Sequence, residues 1–162
     1  MDTLTLGNGT RNQRTGRGFT LVEILIVVVI LGILAAVVVP QFAGASQTAQ
    51  SSSLKGSLRV IRSQMELYES NHSAYPTLAQ LSAAWNVLTQ KTDAAGNPGT
   101  TYGPYLRNMP VNPFEKSATV SDTPGAGVGW VYDETTEQVF GVMTAAKANE
   151  VGMDQINTVR TY

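Results

Sequence analysis

From Phe19 to Val39 the chain runs for 21 residues with a single charge, Glu23. At about 1.5 Å rise per residue such a run makes a helix about 30 Å long, the thickness of a bilayer's hydrocarbon core. Ahead of it Arg11, Arg14 and Arg17 face one acid, Asp2. The positive-inside rule therefore keeps residues 1–18 on the cytoplasmic side and sends everything after Val39 across the membrane. The expectation is a single-pass chain with a large extracytoplasmic C-terminal part.

Glu23 needs a reason, because an ionisable group in a membrane helix costs roughly 2.5 to 3.5 kcal/mol at the centre, and less near an edge. Two readings fit. The carboxylate sits in the first helical turn, where the macrodipole favours negative charge and the headgroups are within reach. Alternatively its partner is a positive charge created by processing, and in low dielectric that attraction is strong while either charge alone is penalised.

Gly18 followed by Phe19-Thr20-Leu21-Val22-Glu23, then the apolar run to Val39 and Pro40, resembles the N-terminal signal of type IV pilins and of the pseudopilins of type II secretion. The resemblance implies a membrane-embedded peptidase that cuts between Gly18 and Phe19 and methylates the new amino group of Phe19. It also implies that Glu23 sets the register of subunit addition by meeting a neighbour's N-terminal ammonium. Pairing with its own amino group, one helical turn away, is the other option. A conventional secretory signal competes, since Ala43-Gly44-Ala45 fits a small-x-small cleavage pattern. A cut there would leave a signal well beyond the usual length of about 15 to 30 residues.

The chain has 162 residues and no cysteine, with 11 basic and 12 acidic residues. Roughly 90 residues beyond the long helix are enough for one small core. Without residues 1–18, which hold three Arg and one Asp, 8 basic and 11 acidic residues remain. That balance gives no basic footprint for nucleic acid. The missing cysteine excludes a disulfide-stapled head and thiol chemistry. It also favours, within the resemblance, the major pseudopilin of type II secretion, which lacks the C-terminal disulfide of many type IV pilins.

Pro40 cannot donate to the carbonyl of Ala36, so a kink is expected there rather than a stop. Gln41 to Ser53 reads either as a flexible linker or as helix with small residues that let neighbours approach. Leu54, Leu58, Ile61, Met65 and Tyr68 then make a narrow helical stripe, beside the basic residues Lys55, Arg59 and Arg62 and an Arg62–Glu66 i,i+4 pair. Asn71, Ser73 and Pro76 end the helix, with Asn71 the candidate left-handed cap.

The head follows. Leu78, Leu81, Trp85 and Leu88 form one short helical pattern, Asp93 to Gly99 a turn, and Tyr102 to Phe114 a stretch too rich in proline for central strand. Tyr75-Pro76, Tyr105-Leu106, Met109-Pro110 and Asn112-Pro113-Phe114 resemble the type II major pseudopilin's Tyr-Pro, Tyr-Leu, Leu-Pro and Asp-Pro-Trp, the later pieces in altered form. Gly129 to Asp133 and Gln138 to Met143 alternate around Glu134-Thr135-Thr136-Glu137 and predict a hairpin. Ala145 to Tyr162 gives no clear signal. The expected fold is α+β and pilin-like: leader 1–18, membrane and polymerisation helix 19–39, helix continuation 40–72, and a head at 73–162 with a small antiparallel sheet.

No enzyme chemistry is expected. His72 is the sole histidine, and it reads as a surface residue at a helix end; zinc and cysteine–histidine sites are therefore excluded. Gly125-Ala126-Gly127-Val128-Gly129 lacks the following helix a phosphate loop needs. No cofactor is required and no metal ligand is assigned. The resemblance does imply calcium in an acidic C-terminal loop, for which Asp122, Asp133, Glu134, Glu137 and Asp154 offer oxygens; the family's glycine- and aspartate-rich loop is not recognisable. Functionally the resemblance implies a structural subunit of a type II secretion filament, held in a bacterial inner membrane with its head in the periplasm and then assembled into a periplasmic filament. Its implied partners are copies of itself, the prepilin peptidase and methyltransferase, an inner-membrane platform with its ATPase, minor pseudopilins and lipid. A type IV pilus subunit serving adhesion, motility or DNA uptake, and an anchored binding domain that never polymerises, are the alternatives.

Overall fold

A computed structural model describes residues 18–153 and 158–162; the basic leader and Asp154 lie outside the described residues. The chain divides into two units, one ending at Gln41 and one running from Phe42 to Tyr162. Helix α1 (Leu21–His72, 52 residues) belongs to both and continues through Pro40 and the alanine- and serine-rich stretch after it. The small residues there are helix, not linker.

In the first unit every large apolar side chain of α1 faces outward, and from Val22 to Val39 each is 43–65% exposed. An all-round apolar helix with nothing packed on it needs lipid or other helices as its surroundings. It is the one candidate membrane span among the described residues.

The second unit has its own core. Leu54, Leu58, Ile61, Met65 and Tyr68, the predicted stripe, are all at most 3% exposed. They pack with α2 (Leu78–Ser82), α3 (Asn86–Thr89) and the inner face of a four-stranded sheet: β1 (Val120–Ser121), β2 (Trp130–Asp133), β3 (Gln138–Met143) and β4 (Val159–Thr161). Trp130, Tyr132, Val139 and Met143 face α1, whereas Val131, Phe140 and Val142 form a second cluster. This is the period of two that the alternation predicts. Gly141 lies opposite Leu54, where a Cβ would come within 2.8 Å of Leu54 Cδ1.

The sheet is mixed, not antiparallel throughout. β2 and β3 form the expected hairpin with Asp133 opposite Gln138, but β1 runs parallel to β2 and β4 parallel to β3. For β4 the reason lies in the tail: β3 returns through helix α4 (Ala145–Glu150), begun by Thr144, whose hydroxyl accepts from Lys147 N. A helical crossover is what lets neighbouring strands run parallel.

Two local expectations are corrected. The helical pattern from Leu78 to Leu88 is split by Ala84 and Trp85 at φ +57° and +58°, because Trp85 is anchored by its indole donating to Ala118 O at 2.6 Å and lies edge-on to Trp130. The left-handed residue after α1 is Ser73, φ +60°, not Asn71. Asn71 stays helical and its amide donates to Tyr105 Oη at 3.1 Å.

Asn112 ties the proline-rich stretch to the sheet. Fully buried, it donates through Nδ2 to Gly129 O and Val142 O, both at 2.7 Å, and accepts at Oδ1 from Phe114 N at 2.8 Å.

Candidate functional site: the amino end of the apolar helix

The first residues of α1 are exposed, Phe19 at 75%. Thr20 Oγ1 accepts from Glu23 N at 3.2 Å, and Glu23 Oε2 accepts from Thr20 N at 3.5 Å. A Thr-x-x-Glu pair arranged this way is a capping box, in which the two side chains satisfy two of the donors a helix start leaves free. Glu23 thus sits in the first turn with one long hydrogen bond. It is the only ionisable side chain from Gly18 to Gln41. Sequence reading placed Glu23 in the first turn but missed Thr20, although the Thr-x-x-Glu signature was there to find.

Gly18 and Phe19 precede the first helical residue, in extended or irregular backbone. A peptidase must draw its substrate backbone out of hydrogen-bonded structure, and the Gly18–Phe19 bond lies outside the helical ladder. The arrangement has a peptide bond outside the helical ladder, an exposed aromatic residue after it, and a carboxylate one turn further on.

Other residues singled out in the sequence belong to the second unit. His72 is half-buried rather than on the surface: its ring stacks on Tyr68 with centroids 3.9 Å apart. Its Nδ1 lies 3.2 Å from Ala94 O and its Nε2 3.1 Å from both Tyr105 Oη and Thr92 Oγ1. A carbonyl can only accept, so Nδ1 carries the hydrogen and Nε2 accepts from a hydroxyl. His72 clasps the loop 92–105 onto the end of α1. No sequence pattern could have joined residues so far apart.

Among the acidic residues, Glu134 and Glu137 share a cavity with Glu69, Tyr75 and Tyr132. Burial first, then Glu137 and Glu134, push the Tyr132 phenol up to about 12. Among the described residues no three His, Cys, Asp or Glu gather as a metal site.

The family model for the prokaryotic N-terminal methylation motif matches residues 13–39, the segment that contains the capping box and the exposed apolar face. The type II secretion system core protein G of Pseudomonas aeruginosa is 38% identical over 105 residues, 63% of this chain and 70% of that protein. The proteins of the same name from Dickeya chrysanthemi and Klebsiella pneumoniae are each 35% identical, over 103 and 99 residues; these spans are 63% and 60% of this chain, and 65% and 69% of the relatives. No solved structure matches significantly. With its methylation motif at the start of an exposed apolar helix, and this identity over more than two thirds of a relative's length, the chain belongs to the type II secretion system core protein G family.

Proposed function

We propose that this protein is a structural subunit of a type II secretion filament, the major pseudopilin. The precursor rests in the inner membrane with its head in the periplasm; the bond between Gly18 and Phe19 is cut and Phe19 is N-methylated. An assembly platform driven by its ATPase then lifts subunits into a filament with minor pseudopilins, and apolar helices exchange lipid for one another. Growth of that filament pushes cargo outward. The chain's role is architectural, with the chemistry of processing and ATP turnover done by partners.

The observation that supports this best is the contrast within α1: apolar and exposed on every side to Val39, then folded into a core from Leu54. A helix satisfied in water has no use for the first half, and one buried for life in a membrane has no use for the methylation motif. In this reading the capping box holds Glu23 until cleavage, and the new ammonium of Phe19 on a neighbouring copy then becomes its partner. An unpaired carboxylate inside a helix bundle costs several kcal/mol, so only subunits seated in register join stably.

The test is electron microscopy of filaments from cells making the full precursor. Wild type should give filaments. Glu23→Ala should leave processed protein in the membrane with few or none, and undiminished filament yield from that variant would refute the registration role.

A further inference from the structure

Within the second unit, charge along α1 is segregated. Lys55 and Arg59 come first, Glu66 and Glu69 follow, and helical spacing puts all four on one side, next to the buried stripe. Lys55, Arg59 and Glu66 line one groove with Leu58 and Thr158. Lys55 and Arg59 are exposed, and among the described residues neither side chain makes a hydrogen bond or an ion pair.

Further along the helix, Glu69 lines a cavity of about 380 Å³ with Tyr75, Tyr132, Glu134 and Glu137, between the end of α1 and the turn from β2 to β3. Glu134 accepts from Leu78 N, but the carboxylates of Glu69 and Glu137 have no donor among the described residues. Tyr132 is 2% exposed, yet its hydroxyl has no hydrogen-bond partner among the described residues. A buried hydroxyl left unpaired is costly, so a polar group arriving from outside is favoured there. The three carboxylates are not gathered as a metal site. Spread acids beside tyrosine rings suit the long side chains of lysine and arginine, whose stems lie on apolar surface while the charged head reaches the carboxylates.

We propose that this acidic cavity receives Lys55 and Arg59 of a second copy of the chain. The two bases precede Glu69 by 14 and 10 residues, about 21 and 15 Å at about 1.5 Å per residue. A parallel copy moved along the axis by that distance brings its basic pair level with the cavity. The two patches differ, so the contact is head-to-tail and repeats without closing, which is how a filament grows. The proposal rests on the filament reading above and names the contact between heads.

The chain has no cysteine, so an introduced pair reports on this contact alone. In filaments of the full chain carrying both Arg59→Cys and Glu137→Cys, a bismaleimide should link subunits into a ladder, and neither single variant should give one. Separately, Arg59→Glu and Glu137→Lys should each cut filament yield about tenfold by setting like charges together. The two changes in one chain should restore the yield, with the unfolding midpoint of the head unchanged throughout. Filaments without a ladder, or a double charge exchange that restores nothing, overturn this contact and leave the filament reading standing. If the double cysteine variant does not assemble, the charge exchange decides. Absence of filaments from the unaltered chain removes the filament reading and this proposal with it.

Discussion

Leu54 fills the space that Gly141 leaves empty: a Cβ on Gly141 would lie 2.8 and 2.9 Å from the two Leu54 methyl carbons and 3.2 Å from its Cγ. Leu54 is fully buried, so it has little room to yield. Gly141→Ala should cost about 1 to 3 kcal/mol, the usual range for overpacking. Denaturant unfolding measures this. Pairing it with Leu54→Ala should give a combined loss well below the sum of the two, because each change makes room for the other.

Asn112 gives the sharpest stability prediction. Asn112→Asp is nearly isosteric, yet it sets a carboxylate against Gly129 O and Val142 O, which the amide now serves as donor. The loss should be about 2 to 4 kcal/mol at neutral pH. A carboxyl so placed has its pKa raised on folding. The penalty is therefore absent below the unfolded-state pKa and grows as pH rises towards the folded-state value. Unfolding midpoints measured from acid to neutral pH should show the variant approaching wild type only at the acid end.

Asp93 should behave in the opposite sense. The backbone N–H of Asn97, then that of Ala95, hold its carboxyl below the usual range. Its contribution to stability is present above the unfolded-state pKa and is lost as pH falls through the folded-state pKa. Asp93→Asn should flatten the acid limb of the stability profile while changing little in slope near neutrality, and an unchanged acid limb would show that the turn 93–97 does not stabilise the head.

Cap and charge can be separated at the start of α1. Glu23→Gln keeps a side chain able to complete the capping box with Thr20 but removes the charge. Hydrogen exchange of the first turn should stay near wild type while filament yield drops as far as in Glu23→Ala. Thr20→Val should do the reverse at the backbone, loosening the first turn by about 0.5 to 2 kcal/mol.

Legibility in the sequence followed the length of each pattern. The long apolar run, the stripe from Leu54 to Tyr68 and the hairpin across Glu134 to Glu137 each hold one pattern over many residues, and the structure has a helix, a buried helix face and a strand pair at those places. β1 and β4 have two and three residues and α4 has six, too short for any period to show, so the parallel pairings could not be read. The break at Ala84–Trp85 comes from the tertiary anchoring of one indole, which outweighs local helix preference. At the start of α1, Gly18, Phe19 and Glu23 stand out as a motif, and the Thr20-x-x-Glu23 capping signature beside them was equally legible. Asn112 looked like an imperfect family residue; in the structure its amide makes bonds a carboxylate cannot.

The central claim is that the chain is cut between Gly18 and Phe19 and joins its neighbours through the apolar helix so exposed. Intact mass measurement of the membrane-extracted protein tests it most directly. The account predicts a chain from Phe19 to Tyr162 carrying one added methyl group. A species that still begins at Met1, or a soluble one that begins at Ser46, would contradict it.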